Sequence, residues 1–201
     1  MMNLNYLQQT SKAMVKLIAV SILLGSLGAC TALVVGGAAA GVAMVATDRR
    51  SSGAQLEDEA IEIRASSRLK DKFGERGHFN VTSFNRRVLL TGEVAGEADK
   101  LAAEQLVFQV DNVRMVVNEL TIASMTSTIQ QRANDTYITG LVKASLLDAK
   151  DIPSSAFKVV TERSVVYLMG RVTSREADRG TDVARGVSGV VKVVRSFELI
   201  S

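Results

Sequence analysis

The chain has no tryptophan, one proline, one histidine and one cysteine among its 201 residues. Each scarcity excludes something. A lone cysteine cannot form an internal disulfide, so any core must hold without covalent cross-links. The single histidine, His78, sits in a Gly-His-Phe stretch. With no second histidine or cysteine to complete a His/Cys metal site, it reads as a surface-loop residue, and no metal, no cofactor and no His-based triad is expected. Aromatics are 4% of the chain, which leaves no stacking platform for nucleic acid. No glycine-rich strand-to-helix motif is available for phosphate; Gly92 and Gly170 follow apolar runs and suggest a bulge or close packing instead. No nucleophile–base pair is visible, so no enzyme is expected.

What the N-terminus does contain is a secretory signal pattern. Lys12 and Lys16 form a positive region, Leu17 to Leu24 a short apolar one, and small residues follow. The segment ends in Leu27-Gly28-Ala29-Cys30, which resembles the lipobox of bacterial lipoproteins. That resemblance implies cleavage before Cys30, a covalent lipid on its thiol and a mature chain hung from a membrane. Losing Lys12 and Lys16 takes the net charge from +3 to about +1, so a basic partner-seeking surface is not indicated. Thr31 to Ala46 is apolar and rich in glycine and alanine, and Thr47 to Gly53 reads as a polar linker.

Beyond that linker the chain repeats itself at an offset of about 78 residues. Val88-Leu89-Leu90-Thr91-Gly92-Glu93-Val94 matches Val166-Tyr167-Leu168-Met169-Gly170-Arg171-Val172. Phe79-Asn80-Val81 matches Phe157-Lys158-Val159, Glu97-Ala98 matches Glu176-Ala177, and Val110-Asp111-Asn112-Val113 is echoed by Val187-Ser188-Gly189-Val190. Each unit predicts a helix (Glu57 to Lys72; Asp135 to Leu147), a hairpin (Asn80 to Val94; Lys158 to Val172), a second helix and a last strand (Val113 to Ile122; Val190 to Ile200). The acid run Glu57-Asp58-Glu59 is expected to serve the first helix N-terminus. Thr173 to Glu176 has capping-box spacing, and Ala177, Gly180, Ala184 and Val187 share a face. The expected fold class is α+β: two tandem αββαβ units, each a three-stranded mixed sheet packed on two helices. The divisions are 1–29 signal, 30–55 acylated cysteine and linker, 56–123 first domain, 124–133 linker and 134–201 second domain.

This order, with Leu168-Met169-Gly170 after the hairpin and Val187-Ser188-Gly189-Val190 before the last strand, resembles the BON domain. Two such units behind a lipobox resemble the dual BON-domain outer-membrane lipoprotein family, DolP type. Ala46 to Ser51, Asn134 to Thr139 and Leu168 to Ala177 are its most specific pieces. The resemblance implies binding of an anionic phospholipid membrane through the second domain, support of outer-membrane integrity at division sites, and a lipid-anchored place on the periplasmic face of the outer membrane. One departure is Tyr137, where the family form carries tryptophan.

The residues point the same way. With Ile138 turned to the core, Gly140, Lys143 and Leu147 fall on the far side of the helix with Tyr137 on the flank, a set suited to a headgroup interface. The first-unit equivalents, Ala60, Ile63, Ser66 and Lys70, lack the aromatic and the far-side leucine. Residues 56–122 hold twelve acids and nine bases, whereas 134–201 hold eight acids and ten bases, so anionic headgroups should prefer the second unit. Two alternatives stay open: Tyr137 and Leu147 pack against the other unit, or the protein is an adaptor for an envelope assembly or division machine.

Overall fold

The computed structural model of the protein describes residues 48–123 and 127–201. The signal-like segment, Cys30 and the Gly/Ala-rich stretch lie outside the described residues. The first domain runs α1 (Ser52–Phe73), β1 (Gly77–Phe84), β2 (Arg87–Val94), α2 (Glu97–Phe108), β3 (Met115–Asn118) and β4 (Thr121–Ile122). The second runs α3 (Ile129–Asp148), β5 (Phe157–Glu162), β6 (Val165–Val172), α4 (Ser174–Arg185) and β7 (Lys192–Leu199). In each, the hairpin is antiparallel and the strand after the crossover helix lies parallel to the hairpin's second strand. The α+β architecture of two αββαβ units is therefore as the repeat predicts.

One strand departs from the three-stranded expectation. Residues 115–118 pair with 87–90 and residues 121–122 with 93–94 in one constant register, and the ladder breaks at Glu119-Leu120. There Leu120 is buried and its amide turns to Asn118 Oδ1 at 3.2 Å. The first sheet thus counts four strands, although β4 continues β3.

The helix starts also need correction. Ser51 takes an extended conformation and its hydroxyl accepts from the Ala54 amide, so α1 begins at Ser52, inside the stretch read as linker. Thr128 and Gln131 form a capping box, so α3 begins at Ile129 and residues 129–133 are helical. The run Glu57-Asp58-Glu59 consequently lies in the second turn of α1, not at its N-terminus. Asp58 instead falls on the core face, in register with Ile61, Ala65, Leu69 and Phe73. Asp135 holds the same place ahead of Ile138, Val142 and Leu146 on α3.

These two buried aspartates explain the hairpins. Both turns have two central residues at positive φ, Asn85 and Arg86 in one, Arg163 and Ser164 in the other. None is glycine, so the strained conformation needs outside support. Asp58 accepts from the Asn85 and Arg86 amides at 2.7 Å each. Asp135 accepts from the Arg163 and Ser164 amides at 2.8 Å each. A carboxylate on the first helix thus clamps the turn in each domain.

The helices cover one face of each sheet with a core of its own. Ile61, Ala65, Leu69, Val88, Leu90, Ala103 and Val107 fill the first, and Ile138, Val142, Leu146, Val166, Leu168, Ala177 and Ala184 the second. The opposite faces of the two sheets meet each other. Phe84 and Leu89 pack on Tyr167 and Met169, ringed by Val117, Val160, Val165 and Val194. Burial in this seam pushes the Tyr167 phenol up to about 12. Polar groups rim it: Lys158 Nζ contacts Glu62 Oε1 at 2.8 Å, and Asn85 donates to Glu198. β2 and β6 are therefore buried on both faces, which is why Val88-Leu89-Leu90 and Val165 to Met169 are unbroken apolar stretches that do not alternate.

Candidate functional site: the outer face of the second domain's first helix and the seam between domains

Tyr137, Gly140, Lys143 and Leu147 all lie on α3 and all are exposed. Tyr137 and Leu147 keep 66% and 65% of their surface in water, so neither the core nor the first domain covers them. The docking of the domains through their sheets is what leaves this helix face free. Ile129, at the start of the same helix, is 88% exposed and extends the apolar stripe. Gly140 stands mid-helix, and a Cβ there would meet nothing within 4 Å. Internal packing does not require glycine at this position, although glycine costs about 1 kcal/mol relative to alanine in a helix. Of the first-domain equivalents, Ile63 on α1 is comparably exposed, at 65%. It has alanine and lysine, Ala60 and Lys70, where the second domain has Tyr137 and Leu147.

His78 is not on a surface loop. It lies on β1, half-buried, directly opposite Glu93 on β2. Glu93 is 1% exposed and reaches the seam, where Glu162 at the end of β5 arrives from the second domain. One donor-capable atom from each of His78, Glu93 and Glu162 lies within 4.8 Å of the other two. Glu93 Oε1 is held by the Ser127 amide and hydroxyl and by Arg163 Nη1 at 3.1 Å. Glu162 Oε2 accepts from Asn80 Nδ2 at 2.6 Å. Burial raises the Glu162 pKa, while the Ser127 and Arg163 hydrogen bonds outweigh burial to lower that of Glu93. Sequence reading missed this group because its members are far apart in the chain and only sheet docking joins them.

The segment before α1 is fixed as well. Arg49 forms a two-pronged pair with Glu176 at 2.7 Å and donates to the Arg171 carbonyl, and Arg171 returns a bond to the Arg49 carbonyl. Arg50 pairs with Asp48 and with Asp58 at 2.8 Å and lies 4.0 Å over the Phe84 ring. Residues 48–50 therefore grip both domains, and the polar-linker reading fails here because each charge has a partner. On α4, Thr173 and Glu176 form the expected capping box, and the Arg49 guanidinium with it holds the Glu176 carboxyl at about 2. Gly92 and Gly170 are sites of close approach: a Cβ would fall 2.0 Å from the His78 carbonyl oxygen and 2.3 Å from that of Ala156.

The sequence profile of the BON domain matches residues 57–124 and 134–200. The chain is 36% identical over 185 residues to the outer membrane lipoprotein DolP of Haemophilus influenzae, covering 90% of this chain and 95% of that protein. It is 33% identical over 155 residues to a 21 kDa hemolysin of Actinobacillus pleuropneumoniae, covering 76% and 79%. It is 30% identical over 141 residues to osmotically-inducible protein Y of Escherichia coli, covering 69% and 70%. With both αββαβ units matched, the protein belongs to the BON-domain family, in its two-domain DolP type.

Proposed function

We infer that the protein is an outer-membrane lipoprotein, anchored through lipid on Cys30, whose second BON domain binds anionic phospholipid from the periplasmic side. In this reading it supports outer-membrane integrity at division sites by binding, not catalysis. The observation that carries the lipid contact is the exposed stripe of Tyr137, Gly140 and Leu147 beside Lys143 on α3. Aromatic and aliphatic groups at such a face enter the headgroup boundary, while one lysine adds only about 1 kcal/mol near an anionic surface. The Cys30 lipid supplies the local concentration that a weak face needs. No described helix is long and apolar enough to cross a membrane, so attachment in this scheme rests on the lipid and on α3.

Co-sedimentation of a fragment from Thr47 onward with phosphatidylglycerol vesicles tests the contact. Tyr137→Glu and Leu147→Glu should each weaken binding several-fold with the circular dichroism unchanged, and Ile63→Glu should change it little. Affinity should fall with added salt without vanishing, since part of the contact is apolar. Equal binding by all three variants would shift the reading to a protein adaptor for an envelope or division machine. For that reading, the exposed Leu101 and Phe108 of α2 offer an apolar face on the first domain. The anchor is tested by Cys30→Ala, which should leave an uncleaved precursor without acyl mass.

A further inference from the structure

The buried group in the seam has more acceptors than donors. Glu93 Oε1 has Ser127 and Arg163, and Glu162 Oε2 has Asn80. Glu93 Oε2 is buried with no hydrogen bond, and so is His78 Nδ1. The two atoms stand 3.2 Å apart but lack the alignment a hydrogen bond requires. An unmet oxygen on a carboxylate that is 1% exposed is costly unless something positive sits against it. Two carboxylates, Glu93 and Glu162, share this space with the Arg163 guanidinium and the half-buried His78 imidazole.

We propose that His78 Nδ1, Glu93 Oε2 and a Glu162 carboxylate oxygen form a divalent-cation site spanning the two domains. One imidazole nitrogen and two carboxylate oxygens suit a borderline first-row ion such as zinc, and three protein donors leave a position for water. The surrounding bonds orient the ligands: Ser127 and Arg163 fix one oxygen of Glu93 and so aim the other, and Asn80 does the same for Glu162. Gly92, beside Glu93, lets β1 come close enough to bring in His78. Two ligands belong to the first domain and one to the second, so the cation clips the domains together. The sequence expectation of no metal counted only histidine and cysteine ligands; the two glutamates become visible once the register and docking are known.

The test uses zinc chloride added to the tag-free full chain in detergent. Because His78 is the chain's one histidine, imidazole nuclear magnetic resonance reports on this site alone. The His78 signals should move and saturate at one equivalent of zinc. Glu162→Gln keeps an acceptor for Asn80 and should weaken zinc binding by roughly tenfold or more, in the range lost when a metal site's ligand environment is disturbed. His78→Gln should abolish the calorimetric heat of that binding. This second variant decides the matter if Glu162→Gln does not fold. Signals that follow pH but ignore zinc would assign the space to a proton on His78 and overturn the proposal. An equal zinc response in wild type and folded Glu162→Gln would overturn it too, by removing the second domain from the site.

Discussion

The two domains share a fold and a turn clamp but spend their surroundings differently. In the first, Asp58 holds its hairpin turn and also takes the Ser83 hydroxyl and the Arg50 guanidinium. In the second, among the described residues Asp135 holds the turn amides alone, and Thr161, at the position of Ser83, pairs with Thr139. The helix caps differ in the opposite sense. Gly96 gives α2 no side-chain cap, whereas α4 has the Thr173–Glu176 box with Arg49 added. The strap before α1 thus adds to a different element in each domain, the turn clamp of one and the already capped crossover helix of the other. The lesson is that duplicated units diverge by what they recruit from outside, while their internal scaffold stays common.

The sharpest way to break the comparison is at the clamps. Asp58→Ala strands two turn amides and the Ser83 hydroxyl, removes one of the two carboxylate partners of Arg50, and should cost about 3–5 kcal/mol, the range for breaking a buried ion pair. Asp135→Ala strands two amides alone and should cost about 2–3 kcal/mol. Urea denaturation measures both; equal losses would mean that the strap contributes nothing to the first turn. Next come the core positions that the two first helices share. Ile61→Ala and Ile138→Ala should each cost on the order of 2–5 kcal/mol, because both side chains are fully buried at the helix–sheet contact. A large inequality in thermal melts would show that one core relaxes into the space and the other does not.

Smaller effects separate the crossover helices. Thr173→Ala should cost about 1 kcal/mol, the usual worth of an N-cap, while Gly96→Ser should gain a few tenths. The Glu176 carboxyl titrates at about 2 when folded, against an ordinary 4.5. Its folded pKa is depressed, so its contribution is complete above about pH 4.5 and is lost as the pH falls toward 2. Glu176→Gln or Arg49→Gln should flatten that limb of the stability–pH curve in chemical denaturation. Smallest of all, Gly140→Ala should stabilise α3 by about 0.5–1 kcal/mol, since it meets no neighbour. Vesicle binding that drops despite this gain would show that the bare backbone there serves the interface.

Most of the scaffold is legible in the sequence, because helix and hairpin periodicities act locally. Ile138, Val142 and Leu146 recur at helical spacing, and the polar turns sit between strand-like runs. The clamps left a trace that is easy to misread: an acid at the core-facing position three residues before Ile61 and again before Ile138. Taken as charge for a helix start, Asp58 was placed by propensity, whereas a cap at Ser51 and a turn to satisfy put it inside. The seam also left a trace, in the unbroken apolar run of Val88-Leu89-Leu90 and of Val165 to Met169. The exposure of Tyr137 and Leu147 follows from that seam and not from α3 alone. The His78–Glu93–Glu162 group has no local signature, since it depends on strand register and on one domain meeting the other.

The grip of Asp48, Arg49 and Arg50 has a mechanical meaning. If Cys30 is held in a bilayer, tension from the anchor enters the described body at Asp48. Such a pull does not act on the nearer domain alone. It arrives first at two arginines, one locked to α4 of the far domain and the other to α1 of the near one. Load is shared across both halves from the outset, so the two domains should respond to it as one piece.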